Sequence, residues 1–155
     1  MSYFTLNGSL YNSIYHGSDK IWHNTVYNGN YTAHALAGRE FSLGRKNRLG
    51  INLRANYAGG RRYTPIDEMR SAGAGYTLYH ENQILEEKAE DYFRLDAQLT
   101  LTLNKEKHTS QWKIDVQNIT NRLNQYTETF NPATQKVEQS TQLGCVPVIS
   151  YTLSF

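Results

Sequence analysis

The stretch from Tyr92 to Leu103 restricts what this chain can fold into more than any other. Phe93, Leu95, Ala97, Leu99, Leu101 and Leu103 alternate without a break with Tyr92, Arg94, Asp96, Gln98, Thr100 and Thr102. An alternation of period two puts every apolar side chain on one face of an extended strand and every polar one on the other. The run is twelve residues long, about twice the common strand length.

The same pattern recurs along the chain. Trp112, Ile114 and Val116 alternate with Gln111, Lys113, Asp115 and Gln117 after the polar turn Asn104-Lys105-Glu106-Lys107, so a hairpin is predicted there. Upstream, Leu49, Ile51, Leu53, Ala55 and Tyr57 alternate with Arg48, Gly50, Asn52, Arg54 and Asn56. A turn at 44–47 joins that strand to one over about residues 25–43. There Tyr27, Tyr31, Ala33, Ala35, Ala37, Phe41 and Leu43 share a face that Arg39 interrupts. A first strand carries Phe4, Leu6, Leu10 and Ile14 on one face against Tyr3, Thr5, Asn7 and Ser9. The last sets Cys145, Pro147, Ile149, Tyr151, Leu153 and Phe155 against Val146, Val148, Ser150, Thr152 and Ser154. A local break is expected at Pro147, which has no N–H to donate.

Six strands follow from this reading, with short connections near 44–47 and 104–107 and long ones near 16–24, 65–91 and 120–143. The third long connection is expected to hold a hairpin, with Tyr126, Glu128 and Phe130 rising, a turn at Asn131–Thr134 and Val137 returning. Short turns at one end and long loops at the other are the pattern of a transmembrane β-barrel. Twelve residues at ~3.4 Å each span roughly 40 Å, and a tilt of ~45° reduces this to about 28 Å, near the ~25 Å apolar band of such a barrel. The predicted fold is all-β: an antiparallel up-and-down meander of about six long strands over residues 1–155, forming an open segment of a transmembrane barrel. A soluble β-rich binding module, lipocalin-like or adhesin-like, is the alternative. Its sheet needs a second layer to cover the apolar face, and no helical pattern supplies one.

Composition removes several function classes. A formal net charge of +2 gives no basic face for nucleic acid. No run of about 18 apolar residues exists to make a membrane-spanning helix, which says nothing against spanning strands. The single cysteine, Cys145, has no partner for an internal disulfide and is read as a wall residue. His16, Asp19 and His23 share one loop and are read as solvated, not as a chelate. Glu86, Glu87, Glu90 and Asp91 are read as a charged loop rim, not as the paired acids of a glycosidase. Asn118-Ile119-Thr120 is treated as a chance sequon. No catalytic set, metal or cofactor is assigned, and the chain is read as not an enzyme.

Other residues are assigned to the wall and loops. Arg48, Asn52, Arg54, Arg94, Asp96, Gln98, Lys113, Asp115 and Gln117 are the candidates to line a lumen, with Arg94 bridging to Asp115 and Arg54 to Asp96. Gly59-Gly60-Arg61-Arg62 lacks the Lys-Ser/Thr of a phosphate loop and marks the outer end of a strand. Arg61 and Arg62 are the candidates to meet an anionic ligand. Of the twelve tyrosines, Tyr57, Tyr63, Tyr92 and Tyr151 fall where an interfacial aromatic girdle is expected.

Several ordered segments resemble one family. They are Gly8-Ser9-Leu10-Tyr11-Asn12-Ser13, Asn24-Thr25-Val26-Tyr27-Asn28-Gly29-Asn30-Tyr31, Gly38-Arg39-Glu40-Phe41, Tyr57-Ala58-Gly59-Gly60-Arg61-Arg62-Tyr63-Thr64-Pro65, Asp91-Tyr92-Phe93-Arg94-Leu95-Asp96 and Asp115-Val116-Gln117-Asn118-Ile119-Thr120-Asn121-Arg122. Together they resemble the C-terminal barrel region of TonB-dependent outer-membrane receptors, over nearly the whole chain. The resemblance implies a bacterial outer-membrane location and a part in energy-driven uptake of a scarce solute such as a metal chelate, siderophore or glycan. It implies that Tyr151, Leu153 and Phe155 form the terminal signal read by the barrel-assembly machinery. The family's receptors have a TonB box, a plug domain and a barrel of about 22 strands. Closed single-chain barrels need at least about eight strands, and no secretory leader pattern precedes the first strand. The chain is therefore expected to be a piece whose partners are outer-membrane lipid and the remaining strands and plug, with TonB engaged through an N-terminal part outside it.

Overall fold

Extended amphipathic segments satisfy their backbone donors and acceptors by pairing with neighbours. The computed structural model describes residues 1–155. In chain order the elements are β1 (Ser2–Leu10), β2 (Ile14–His16), β3 (Trp22–Asn24), β4 (Tyr31–Leu43), β5 (Asn47–Ala58), β6 (Arg62–Tyr63), helix α1 (Glu68–Ala74), β7 (Glu87–Lys88), β8 (Tyr92–Asn104), β9 (Thr109–Gln117), β10 (Gln125–Asn131), β11 (Lys136–Thr141) and β12 (Val146–Ser154). Six of them form one antiparallel sheet in the order β1-β4-β5-β8-β9-β12. The sheet is an open meander, with β1 and β12 as its edges. The fold is all-β, as the alternation predicts.

Register decides the faces, because directly opposed residues lie on the same side of a sheet. One continuous row runs Phe4, Ala37, Leu53, Ala97, Val116, Pro147 from edge to edge. The next row toward the short turns reads Ser2, Arg39, Ile51, Leu99, Ile114, Ile149. The intervening row on the opposite face is Tyr3, Gly38, Asn52, Gln98, Asp115, Val148. Every strand therefore agrees on which face is apolar.

No layer covers that apolar face. Phe4 is 81% exposed, Ile149 69% and Leu53 46%. The buried apolar residues are Ile66, Ala89 and Phe130, none of them in the six-stranded sheet. Within the sheet the buried residues are polar, Asp96 and Ser110. A sheet folded against water presents the reverse arrangement.

All three long connections leave one end of the sheet, and the turns at 44–46 and 105–108 close the other. The first connection holds the β2–β3 hairpin, the second holds β6, α1 and β7, and the third holds the β10–β11 hairpin. In that last hairpin Phe130 pairs with Val137, as expected. The first two connections come backbone to backbone at Gly29 and Gly59. A Cβ on Gly59 would lie 1.8 Å from the Gly29 carbonyl oxygen, and one on Gly29 would lie 2.3 Å from that of Gly59.

Several local expectations are corrected. Ile14 belongs to the β2 hairpin, because β1 ends at Leu10. The second long strand begins at Tyr31, not near 25; Tyr27 sits in the preceding turn. The strand does not break at Pro147, which stays in register with Val116; β12 is an edge, where only half of the N–H groups are needed for pairing. A helix is present: α1, capped by Asp67, whose carboxylate accepts from the Arg70 N–H at 2.9 Å. It packs back on its own loop through Ser71 and Leu78. Among the tyrosines, Tyr57 and Tyr151 lie on the apolar face. Tyr92 opposes Ala58 on the polar face, and Tyr63 lies in the loop strand β6.

Gly59→Ala is expected to cost roughly 1–3 kcal/mol of folding stability. The readout is a lower thermal midpoint by circular dichroism in detergent. An unchanged midpoint would mean that the loops separate without cost.

Candidate functional site: the loop-side end of the polar face

The nine candidate lumen residues sort cleanly in the structure. Arg48, Asn52, Arg54, Arg94, Asp96, Gln98, Lys113, Asp115 and Gln117 all fall on the polar face. Their pairing differs from the expected bridges. Asp96 accepts from Arg94 Nε at 2.7 Å, two residues away on the same strand, and from the Asn118 N–H at 2.9 Å. Arg54 stands directly across from Asp96 in register without an ion pair, and Arg94 does not reach Asp115. Asp96 is thus held along its own strand by Arg94, although Arg54 stands at the shorter cross-strand spacing. On the same face the Tyr3 hydroxyl donates to Asn52, and Asn52 donates to Gln98 at 3.3 Å.

Asparagines organise the loop bases. Asn28 is almost fully buried; its amide donates to Asn12 at 2.9 Å and Asn24 at 2.7 Å and accepts from the Ser13 N–H at 2.9 Å. Asn118 donates to the Arg122 carbonyl at 2.9 Å and the Leu143 carbonyl at 3.3 Å. Asn124 brackets Phe93, accepting from its N–H at 3.1 Å and donating to its carbonyl at 2.9 Å. With its amide consumed in this way, Asn118 is a turn anchor.

Asp91 ties the loops to the wall. Its carboxylate accepts from the Tyr31 hydroxyl, from the Tyr57 hydroxyl at 3.0 Å and from the Gly60 N–H at 3.0 Å, and Lys88 Nζ lies 3.5 Å away. The Tyr31 hydroxyl is the main reason its pKa falls from 3.8 to about 2. Partial desolvation opposes the shift, and Gly60, Tyr57 and Lys88 reinforce it. The acidic run is thus divided among separate tasks. Glu87 pairs in β7 with Tyr63, Glu90 faces Arg122 at 3.5 Å, and Asp91 is the node.

The two loop arginines part company. Arg62 is committed to backbone: it donates to the Glu86 carbonyl at 2.8 Å and the Asn28 carbonyl at 3.4 Å. Arg61 has no carboxylate partner, and its guanidinium lies 5.4 Å from the Tyr126 ring centre. It borders a cavity of about 290 Å³ with Tyr11, Tyr27 and Tyr92. A neighbouring cavity of about 420 Å³, between Arg94, Gln117 and Tyr126, shares Asn124 and Gln142 with it. Tyrosine rings, amides and one free guanidinium form a surface that can hold a polar solute by stacking and hydrogen bonding. Nothing in the dipeptide Arg61-Arg62 distinguishes the two; the Glu86 carbonyl that takes Arg62 arrives from the far end of the same loop. Elsewhere in the loops Asp19 pairs with His23 at 2.7 Å, while His16 packs edge-on against Trp22. The Ile21 N–H, followed by His23, holds the Asp19 carboxyl below its ordinary value.

No family model, curated protein or solved structure matches this chain.

A carboxyl whose folded pKa is depressed stabilises the fold above its unfolded value and loses that contribution as pH falls through the folded one. The stability advantage of the natural chain over Asp91→Asn is therefore expected above pH 3.8 and should fade as pH approaches about 2. Thermal midpoints of both chains across that window test this. A gap that persists unchanged at the acid end would disconnect the advantage from the Asp91 charge.

Proposed function

We propose that the chain is a wall segment, with outer loops, of a TonB-dependent outer-membrane receptor that imports a scarce solute. One observation carries the membrane part of the reading: a six-stranded sheet whose apolar face is continuous in register and left uncovered. Hydrocarbon is the solvent in which that face costs least. The family itself rests on the resemblance of the ordered segments.

Two further features support a bilayer as the cover. Aromatic rings gather near each end of the apolar face. Tyr31, Tyr57 and Phe93 stand at the loop side, with centroids 5.7 and 6.5 Å apart in succession. Trp112 and Tyr151 stand at the turn side, 4.6 Å apart. Between Phe93 and Leu101, the residue opposite Trp112, β8 advances about 27 Å at ~3.4 Å per residue. At tilts of ~35–45° this corresponds to about 19–22 Å along the membrane normal, comparable to the ~25 Å band between barrel girdles. The short turns and long loops also match the usual division between the two sides of such barrels.

In this reading the polar face, with its Arg54–Asp96–Arg94 cluster, looks into the lumen toward the plug. The cavities beside Arg61 form part of the vestibule where solute arrives. Tyr151 and Leu153 lie in the edge strand, and Phe155 directly follows it, where the assembly machinery would pair it by β-augmentation. TonB would act through receptor parts outside this chain.

Refolding from urea into detergent or vesicles tests the proposal. Leu99→Arg, on the apolar face, should lower stability there by roughly 2–4 kcal/mol, while Gln98→Arg, one residue away on the polar face, should cost far less. A chain that is monomeric and cooperatively folded in buffer without detergent would instead favour the soluble binding module.

A further inference from the structure

The charges are divided between the two ends of the sheet. The turn side carries six cations, Arg39, Arg45, Lys46, Arg48, Lys105 and Lys107, against two acids, Glu40 and Glu106. The three long connections carry ten acids against seven cations. One ion pair forms at the turn side, Arg48 with Glu40 at 3.6 Å. Arg39, Arg45, Lys46, Lys105 and Lys107 are exposed and have no carboxylate partner.

The two turns are locked into one surface. The Asn104 side chain donates to the Lys46 carbonyl at 2.6 Å, and the Asn104 N–H donates to the Asn47 side chain at 3.1 Å. These bonds hold the Lys46 turn beside the Lys105 turn, so the cations form a single rim.

Arg39 adds an independent observation. It lies on the apolar face, in the row of Ile51, Leu99 and Ile114. Its guanidinium sits 4.9 Å from the centre of the Phe41 ring, two residues nearer the turn. Phe41 itself opposes Leu49, which continues through Leu101 to Trp112 and Tyr151. A cation on a lipid-covered face avoids hydrocarbon by extending its stem toward the headgroups. Its direction, toward the end where Trp112 and Tyr151 cluster, marks where those headgroups lie.

We propose that the turn-side rim is a binding surface for anionic phospholipid headgroups, with Arg39 reaching them from the apolar face and Arg45, Lys46, Lys105 and Lys107 from the two linked turns. This rests on the barrel-wall reading and adds the lipid chemistry and the orientation. Each cation near an anionic surface contributes roughly fivefold to partitioning, and salt screens the effect.

The test uses the whole chain diluted from urea into vesicles of phosphatidylcholine alone or of phosphatidylcholine doped with phosphatidylglycerol, with bound chain measured by flotation. The anionic lipid should raise binding by at least ~tenfold at low salt, and high salt should remove the gain. Replacing Arg39, Arg45, Lys46, Lys105 and Lys107 together with Gln should abolish the preference, while Lys20→Gln with Lys136→Gln in the loops should leave it. Arg39→Gln alone should reduce it by a few-fold, which guards against a folding defect in the fivefold variant. Equal insertion into both vesicles, or an anionic preference that survives in the fivefold variant, overturns the rim while leaving the barrel wall standing. Failure to enter either vesicle overturns both.

Discussion

In-register pairing of pleated strands governs this molecule. A pleat allows two faces, and a slip of one residue would send the whole apolar set of a strand to the wrong one. Here the choice agrees across six strands, from Phe4 at one edge to Pro147 at the other. Each strand's position then follows from its neighbour's. The long connections fall at one end, the tight turns at the other, and the polar side chains line up opposite the apolar ones. Stability cannot come from a dry interior between layers, because the sheet has no second layer. It has to come from the hydrogen-bonded ladder and from whatever medium covers the apolar side.

The loop end is held by a different chemistry. Its junctions are polar or purely backbone: the Asn28 amide, the Asn124 bracket on Phe93, and Gly59 against Gly29. Asp91 is where the two systems meet. Its carboxylate takes hydroxyls from two rings of the apolar face and an N–H from the loop that follows β5. The Tyr31 and Tyr57 rings thus serve the wall with their faces and the loops with their hydroxyl tips, a use of tyrosine that phenylalanine could not replace.

The strand content and the facing of each strand were legible in the sequence, because period two is a local signal that survives without knowledge of the partner strands. The hairpin around Asn131–Thr134 was legible for the same reason. Other features were not, and each failure has a long-range cause. Pro147 is tolerated because β12 is an edge, a property of the assembled sheet. The α1 helix is only seven residues long, too short for a periodic pattern to stand out. Arg61 and Arg62 are alike in sequence and separated by a carbonyl from Glu86. Gly59 is required by the close approach of Gly29, some thirty residues earlier, and Gly60 by that of Ala89, some thirty residues later.

The burial of Ile66, Ala89 and Phe130 in the loops, with no apolar residue of comparable depth in the sheet, separates the chain into two thermodynamic regimes. The loops conceal apolar surface from water, so their opening should carry the positive heat-capacity change that such exposure produces. In the bilayer proposed above, the wall would have little such change of its own. Its resistance to unfolding would follow the thickness of the surrounding bilayer. One covalent chain would therefore answer to two solvents, and its loops would be able to open as a unit while the wall remained paired.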